Sequence, residues 1–114
     1  MAFGFFKKAE TADLIFHNGH IYTQDHALPW ADAVACIGDK ILGVGSLDGM
    51  DEIIDEHTQL VDLDGKFLFP GFIDAHTHGC VGIDSATADV KDMEVWQKAE
   101  AAEGVTSFMA TTAT

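Results

Sequence analysis

His76 and His78 are the residues of this chain best suited to chemistry, standing directly after the apolar run Phe67-Leu68-Phe69-Pro70-Gly71-Phe72-Ile73-Asp74-Ala75. In an extended strand, side chains two positions apart face the same way, so both imidazoles project together from the end of that strand. Imidazole nitrogens bind zinc at about 2.0 to 2.1 Å, and a catalytic zinc takes about three protein ligands while leaving a position for water. The pair is therefore read as half of a metal site. The competing reading, that a bare His-x-His is a chance surface or core feature, is outweighed by context: a buried apolar strand runs into the pair and a glycine loop follows it. Asp74, two residues before His76, lies on the same face. It either orients an imidazole by accepting its N–H or caps the strand end through backbone hydrogen bonds. Cys80, two residues after His78, is read as a small residue packed in a loop rather than as a ligand.

The elements that must position the pair follow from turn and periodicity signals. Pro70-Gly71 marks a change of architecture, because Pro70 has no N–H to donate and Gly71 frees the backbone to redirect. A strand Phe72 to Ala75 leads into the pair, and a loop from Gly79 to Ala88 follows. A helix is expected over about Val90 to Glu103, with Asp89 as N-cap, Asp92 placing negative charge in the first turn and Gly104 in the left-handed position after it. Val90, Met93, Trp96 and Ala99 form its apolar stripe. Val105 to Ala110 then reads as a second strand. Strand, loop, helix and strand in that order make a βαβ unit, whose strands pair in parallel and whose ligands bind at their carboxyl ends, which is where the two histidines fall.

Before Pro70 the signals are those of hairpins. Asp13 to His17 and His20 to Thr23 flank Asn18-Gly19, Ala33 to Ile37 and Lys40 to Val44 flank Gly38-Asp39, and Leu60 to Leu63 and Lys66 to Phe69 flank Asp64-Gly65. Each is read as a two-residue type I′ turn. Three hairpins predict a small antiparallel sheet or sandwich. Asp48 to Glu56, with Met50, Ile53 and Ile54 at helical spacing, predicts a short acidic helix with a solvated face. His17, His20, His26 and His57 are sheet or loop residues with no assigned role.

Composition narrows the class. The apolar fraction is 47% of 114 residues, as in a globular protein. Net charge is −13 and all six basic residues are lysine, which argues against nucleic-acid binding. No stretch approaches the roughly 20 apolar residues needed to span a membrane, and the opening Met1 to Lys8 has its aromatics before its lysines, the reverse of a secretory signal. Two unpatterned cysteines fit a reducing compartment, so the expected location is the cytoplasm. Because the chain ends just after an apolar strand without a polar tail, it is expected to be the N-terminal part of a longer protein.

At these residues the chain resembles the amidohydrolase superfamily. The matching elements are the hairpin Asp13 to Thr23 with its Asn-Gly turn, the approach Asp62-Leu63-Asp64-Gly65-Lys66, and above all Pro70-Gly71-Phe72-Ile73-Asp74-Ala75-His76-Thr77-His78. Two later stretches, His78-Gly79-Cys80-Val81-Gly82-Ile83-Asp84 and Glu103 to Thr112, look like the N-acetylglucosamine-6-phosphate deacetylase branch. The resemblance implies an α/β fold with a β-sandwich part, the N-terminal fragment of a metal-dependent (β/α)8 barrel. Its divisions would be a leader over 1–11, a sandwich portion over 12–69 and the first βαβ unit of the barrel, truncated, over 70–114. It implies hydrolysis of an N-acetylated amino sugar phosphate to acetate and glucosamine 6-phosphate, with another amidohydrolase substrate (cyclic amide, aminoacyl or nucleobase) or a non-catalytic β module as alternatives. His76 and His78 would be ligands of one or two divalent ions, zinc first among them. Asp74 would stand behind the pair, and Gly79, Cys80 and Gly82 would form a substrate loop. The remaining ligands and the general base would come from later barrel strands, leaving no catalytic group within this fragment. The complete protein would be a homo-oligomer acting on a small molecule, with no nucleic-acid or membrane partner. Residues 1–114 alone are expected to be inactive and prone to associate, because two strands and one helix leave apolar faces and a sheet edge uncovered.

Overall fold

The computed structural model describes residues 10–113, so most of the expected leader lies outside the described residues. The chain is mixed α/β and divides after Pro70 into two compact units.

The first unit is built on one sheet. Its strands are β1 (Leu14–Tyr22), β2 (Trp30–Ile37), β3 (Lys40–Gly45), β4 (Gln59–Asp62) and β5 (Phe67–Leu68), in the order β3-β2-β1 with β4 and β5 both on the far side of β1. β2 and β3 form the expected hairpin, Ile37 pairing with Lys40, but only Gly38 of its two turn residues has positive φ. That is the sign pattern of a II′ turn rather than I′.

The other two expected hairpins are not hairpins. Leu14 to Tyr22 is one continuous strand, and Asn18-Gly19 is a bulge in it: the four steps from His17 to Ile21 stand against the two steps from Ala33 to Ala31 on β2. β4 and β5 likewise do not fold back on each other. Both run parallel to β1, β4 along Leu14 to His17 and β5 along His20 and Ile21. The positive φ values at Asn18, Asp64 and Gly65, which look local in the sequence, belong to two kinks lying side by side. Leu63 N–H donates to His17 O, Gly65 N–H to Asn18 O and His20 N–H to Lys66 O, at 2.8, 2.8 and 2.9 Å. Gly19 is required by this contact, because a Cβ there would lie 2.6 Å from Leu63 Cβ and Lys66 O. The sheet is consequently mixed rather than antiparallel, and the unit is a small β-rich body. The short helix expected between the second and third hairpins is instead two 3₁₀ turns, Leu47–Gly49 and Asp51–Ile53, broken at Met50. A run this short, with glycine and successive carboxylates, gains too few hydrogen bonds to sustain an α-helix. Its apolar residues still do their work: Met50 is buried with Ala12, Ile15, Ala33 and Ala35, and Leu47, Ile53 and Ile54 pack against them. A second cluster joins Ile21, Ala31 and Val34, covered by Phe16, Leu63 and Leu68.

The second unit contains β6 (Phe72–Thr77), the two-residue strands β7 (Gly79–Cys80) and β8 (Ile83–Asp84), α1 (Val90–Ala102) and β9 (Val105–Ala110). β6 and β9 pair in parallel, as a βαβ unit requires. Asp89 caps α1: its carboxylate accepts from Asp92 N–H at 2.9 Å, and Asp92 reciprocates to Asp89 N–H at 3.1 Å. Trp96 is fully buried, stacked on Phe108 with ring centroids 4.9 Å apart, and its indole N–H donates to Glu100 Oε1. The expected stripe is centred on Trp96, with Met93 and Ala99 half-buried; Val90, the first helical residue, is 77% exposed.

Candidate metal site

β6 delivers His76 within its last turn of pleat and His78 just past its end. The structure brings their rings together: the two Nε2 atoms are 3.1 Å apart and the ring planes are nearly perpendicular, at 80°. Two nitrogens at that separation, each about 2.05 Å from one ion, subtend an angle of about 98° at it, inside the range open to a four- or five-coordinate zinc. The rings thus fit a shared divalent cation. Without one, 3.1 Å is also a hydrogen bond between neutral imidazoles, one nitrogen donating and the other accepting. Both side chains are exposed. Among the described residues, no third His, Cys, Asp or Glu joins them to make a three-ligand cluster.

The two roles left open for Asp74 are separated by geometry. Its Oδ1 accepts from the backbone N–H of His76 at 3.1 Å, a bond that sets the backbone rather than the imidazole. Gly79, Cys80 and Gly82 fall in a small hairpin. Gly79 pairs with Asp84 and Cys80 with Ile83, while the turn residues Val81 and Gly82 both have positive φ. Cys80 is a half-buried free thiol within this ladder.

Two residues that the sequence did not single out hold the strand end. Ser85 N–H donates to His78 O at 2.8 Å, its hydroxyl donates to Thr111 O at 2.5 Å, and Thr111 N–H donates to Thr77 O at 2.7 Å. Serine after an Asp and threonine after a strand carry no local signal for such a link, because their partners lie far along the chain. A cleft of about 700 Å³ lies elsewhere, between α1 and β9, lined by Met93, Gln97, Glu100 and Phe108 among others. Neither histidine borders it, and it is the uncovered side of a helix–strand pair rather than a chamber for chemistry.

No protein-family model matches the chain. Among curated proteins it is similar to LONG AFTER FAR-RED 3 of Arabidopsis thaliana, 45% identical over 59% of this chain and 12% of that protein. It is also similar to an N-acetylglucosamine-6-phosphate deacetylase of Lysinibacillus sphaericus, 37% identical over 67% of this chain and 21% of that enzyme. Among solved structures it is similar to a crystal structure of a Bacillus thuringiensis protein, with a TM-score of 0.52 and 33% identity, covering 66% of this chain and all of that one. Several relatives are amidohydrolase-family enzymes, named as N-acetylglucosamine-6-phosphate deacetylase, adenine deaminase and imidazolonepropionase, at 34 to 37% identity over 63 to 78% of the chain. The chain spans only 12 to 21% of the length of the first curated relatives it matches. No helix among the described residues is long and apolar enough to cross a membrane.

Proposed function

We propose that this chain is the N-terminal portion of a metal-dependent amidohydrolase that cleaves a carbon–nitrogen bond other than a peptide bond, and specifically of an N-acetylglucosamine-6-phosphate deacetylase. The observation that carries the reading is the convergence of His76 and His78 Nε2, 3.1 Å apart, at the carboxyl end of a parallel strand. The similarity to enzymes of that family supports it.

In this reading His76 and His78 hold a divalent cation, zinc by preference, with further ligands from later barrel strands. The cation would polarise the scissile carbonyl and lower the pKa of a bound water toward neutrality. The chain's own contribution is to hold two neutral imidazole nitrogens at one point. Asp74 keeps the His76 backbone in place from behind, and the Gly79 to Asp84 hairpin stands beside the pair. The substrate is a small N-acetylated amino sugar phosphate, the protein works in the cytoplasm as a homo-oligomer, and residues 1–114 alone neither close a barrel nor turn over substrate.

The test is glucosamine 6-phosphate release from N-acetylglucosamine 6-phosphate by the longest expressible protein that carries these residues, alongside ammonia release from adenine. Sugar phosphate release that is lost in His76→Ala and His78→Ala, together with bound metal, supports the proposal. Ammonia release from adenine alone would move the substrate to a nucleobase, and metal content unchanged in both variants would remove the metal site.

A further inference from the structure

Three hydrogen bonds tie the end of β6 to the end of β9, two of them through Ser85. Thr111 N–H donates to Thr77 O, Ser85 hydroxyl donates to Thr111 O, and Ser85 N–H donates to His78 O. The residues on either side of the His78 peptide are thereby pinned: the carbonyl before His78 is held by the neighbouring strand, and its own carbonyl by the residue that ends the β7–β8 hairpin. The parallel ladder needs this help. Its register between β6 and β9 is irregular from Asp74 to Thr77, so regular pairing does not set the direction in which the chain leaves the strand. Immediately afterwards comes Gly79, which adds no side chain to restrain it. The Ser85 hydroxyl is the one side-chain group in this relay. By donating to the Thr111 carbonyl it links the residues that follow β8 and β9, 26 apart in sequence.

We infer that Ser85 is a positioning residue for the histidine pair: its hydroxyl ties Ser85, whose N–H holds the His78 carbonyl, to the end of β9 and so holds the His78 imidazole at the separation from His76 that a shared divalent cation requires. The inference rests on the metal-binding reading of the pair, and it concerns a residue that touches neither the cation nor the substrate. Its reach is physical. Imidazole nitrogens separated by 3.1 Å act as one bidentate ligand, whereas a His78 backbone free to swing presents two separate, weaker ones.

The experiment is zinc titration of the 114-residue chain, using zinc chloride alone against a chromophoric chelator, with far-ultraviolet circular dichroism as the check on folding. Four variants are compared: His76→Ala, Ser85→Ala, Ser85→Thr, which keeps the hydroxyl, and Thr87→Ala. The last removes a hydroxyl in the same loop whose bond is only a long one, 3.4 Å, to Asp84 O. Zinc binding lost in His76→Ala, about tenfold weaker in Ser85→Ala, and at parent strength in Ser85→Thr and Thr87→Ala is the expected result. Parent-strength binding in a folded Ser85→Ala, with His76→Ala still defective, overturns the positioning role and leaves the metal site standing. Zinc binding unchanged in His76→Ala overturns the metal site itself and this inference with it. Should Ser85→Ala not fold, Ser85→Thr decides: a folded threonine variant that binds zinc as weakly as His76→Ala refutes the role of the hydroxyl, and one that binds as the parent upholds it.

Discussion

Replacing Gly79 with alanine puts the loop beside the histidines under a load that can be computed. A Cβ built at Gly79 falls 1.9 Å from Ile83 O, 2.9 Å from Ile83 C and 3.2 Å from Asp84 Cα. Ordinary contact begins near 3.5 Å, so the two strands of the β7–β8 hairpin must part by about 1.5 Å. Every atom in the way is backbone, and no rotamer change relieves it. Overpacking costs about 1 to 3 kcal/mol, and a backbone-on-backbone clash belongs at the upper end, about 3 kcal/mol, or roughly a 100-fold shift in the local opening equilibrium. The assay is native-state hydrogen exchange of the Ser85 amide, which is bonded to His78 O. Its exchange should rise about 100-fold in Gly79→Ala, or to the limit set by unfolding of the unit. Gly82→Ala is the internal comparison. It meets nothing within 4 Å and costs only the left-handed φ of +83°, about 1 kcal/mol or fivefold. Exchange at the parent rate in Gly79→Ala, or a larger effect in Gly82→Ala, would refute the packing argument.

Trp96→Ala empties the only fully buried side chain among the described residues of the second unit and should cost about 3 to 5 kcal/mol, read as loss of exchange protection over residues 72–110 with residues 14–45 still protected. Asp89→Ala removes the half of the capping box in which its carboxylate accepts from Asp92 N–H and should lower helix stability by about 1 kcal/mol in urea unfolding, whereas Asp89→Asn should cost less. Asp55 is held below the usual carboxylate range first by the Thr11 hydroxyl, 2.7 Å away, and next by the His57 backbone N–H. Its charged form therefore stabilises the fold above the ordinary value of 3.8, and that contribution fades as pH falls through the lowered value. Thr11→Val should be less stable than the parent at pH 7, the gap closing below about pH 3.8; a gap that is constant with pH would show the hydrogen bond to be irrelevant. Phe72, Ile73 and Met109 are 58%, 76% and 64% exposed on the open two-stranded sheet. The 114-residue chain should accordingly elute above monomer mass in light-scattering chromatography, and Ile73→Asp should return it toward monomer.

What the sequence determined by itself was whatever depends on near neighbours. The Asp89 cap, the helix after it, the positive φ at Gly104 and the period-two placement of His76 and His78 all follow from bonds and sterics within a few residues. The Gly38-Asp39 hairpin belongs with them, because its two strands are joined by the turn that specifies them. Tertiary structure decided everything in which a local signal has more than one partner to choose from. Asn-Gly and Asp-Gly favour positive φ whether the chain then folds back or merely kinks. Here β1 found β4 and β5 as parallel neighbours, so both signals became matched bulges with Gly19 wedged against Leu63 and Lys66. Asp74 had an imidazole and a backbone N–H equally within its sequence reach, and the folded strand put its oxygen on the N–H of His76. The link from Ser85 to Thr111 spans 26 residues and exists only because β6 and β9 lie side by side. Spacing alone aimed two imidazoles in one direction; their 3.1 Å separation is set by a strand end that its neighbours hold still.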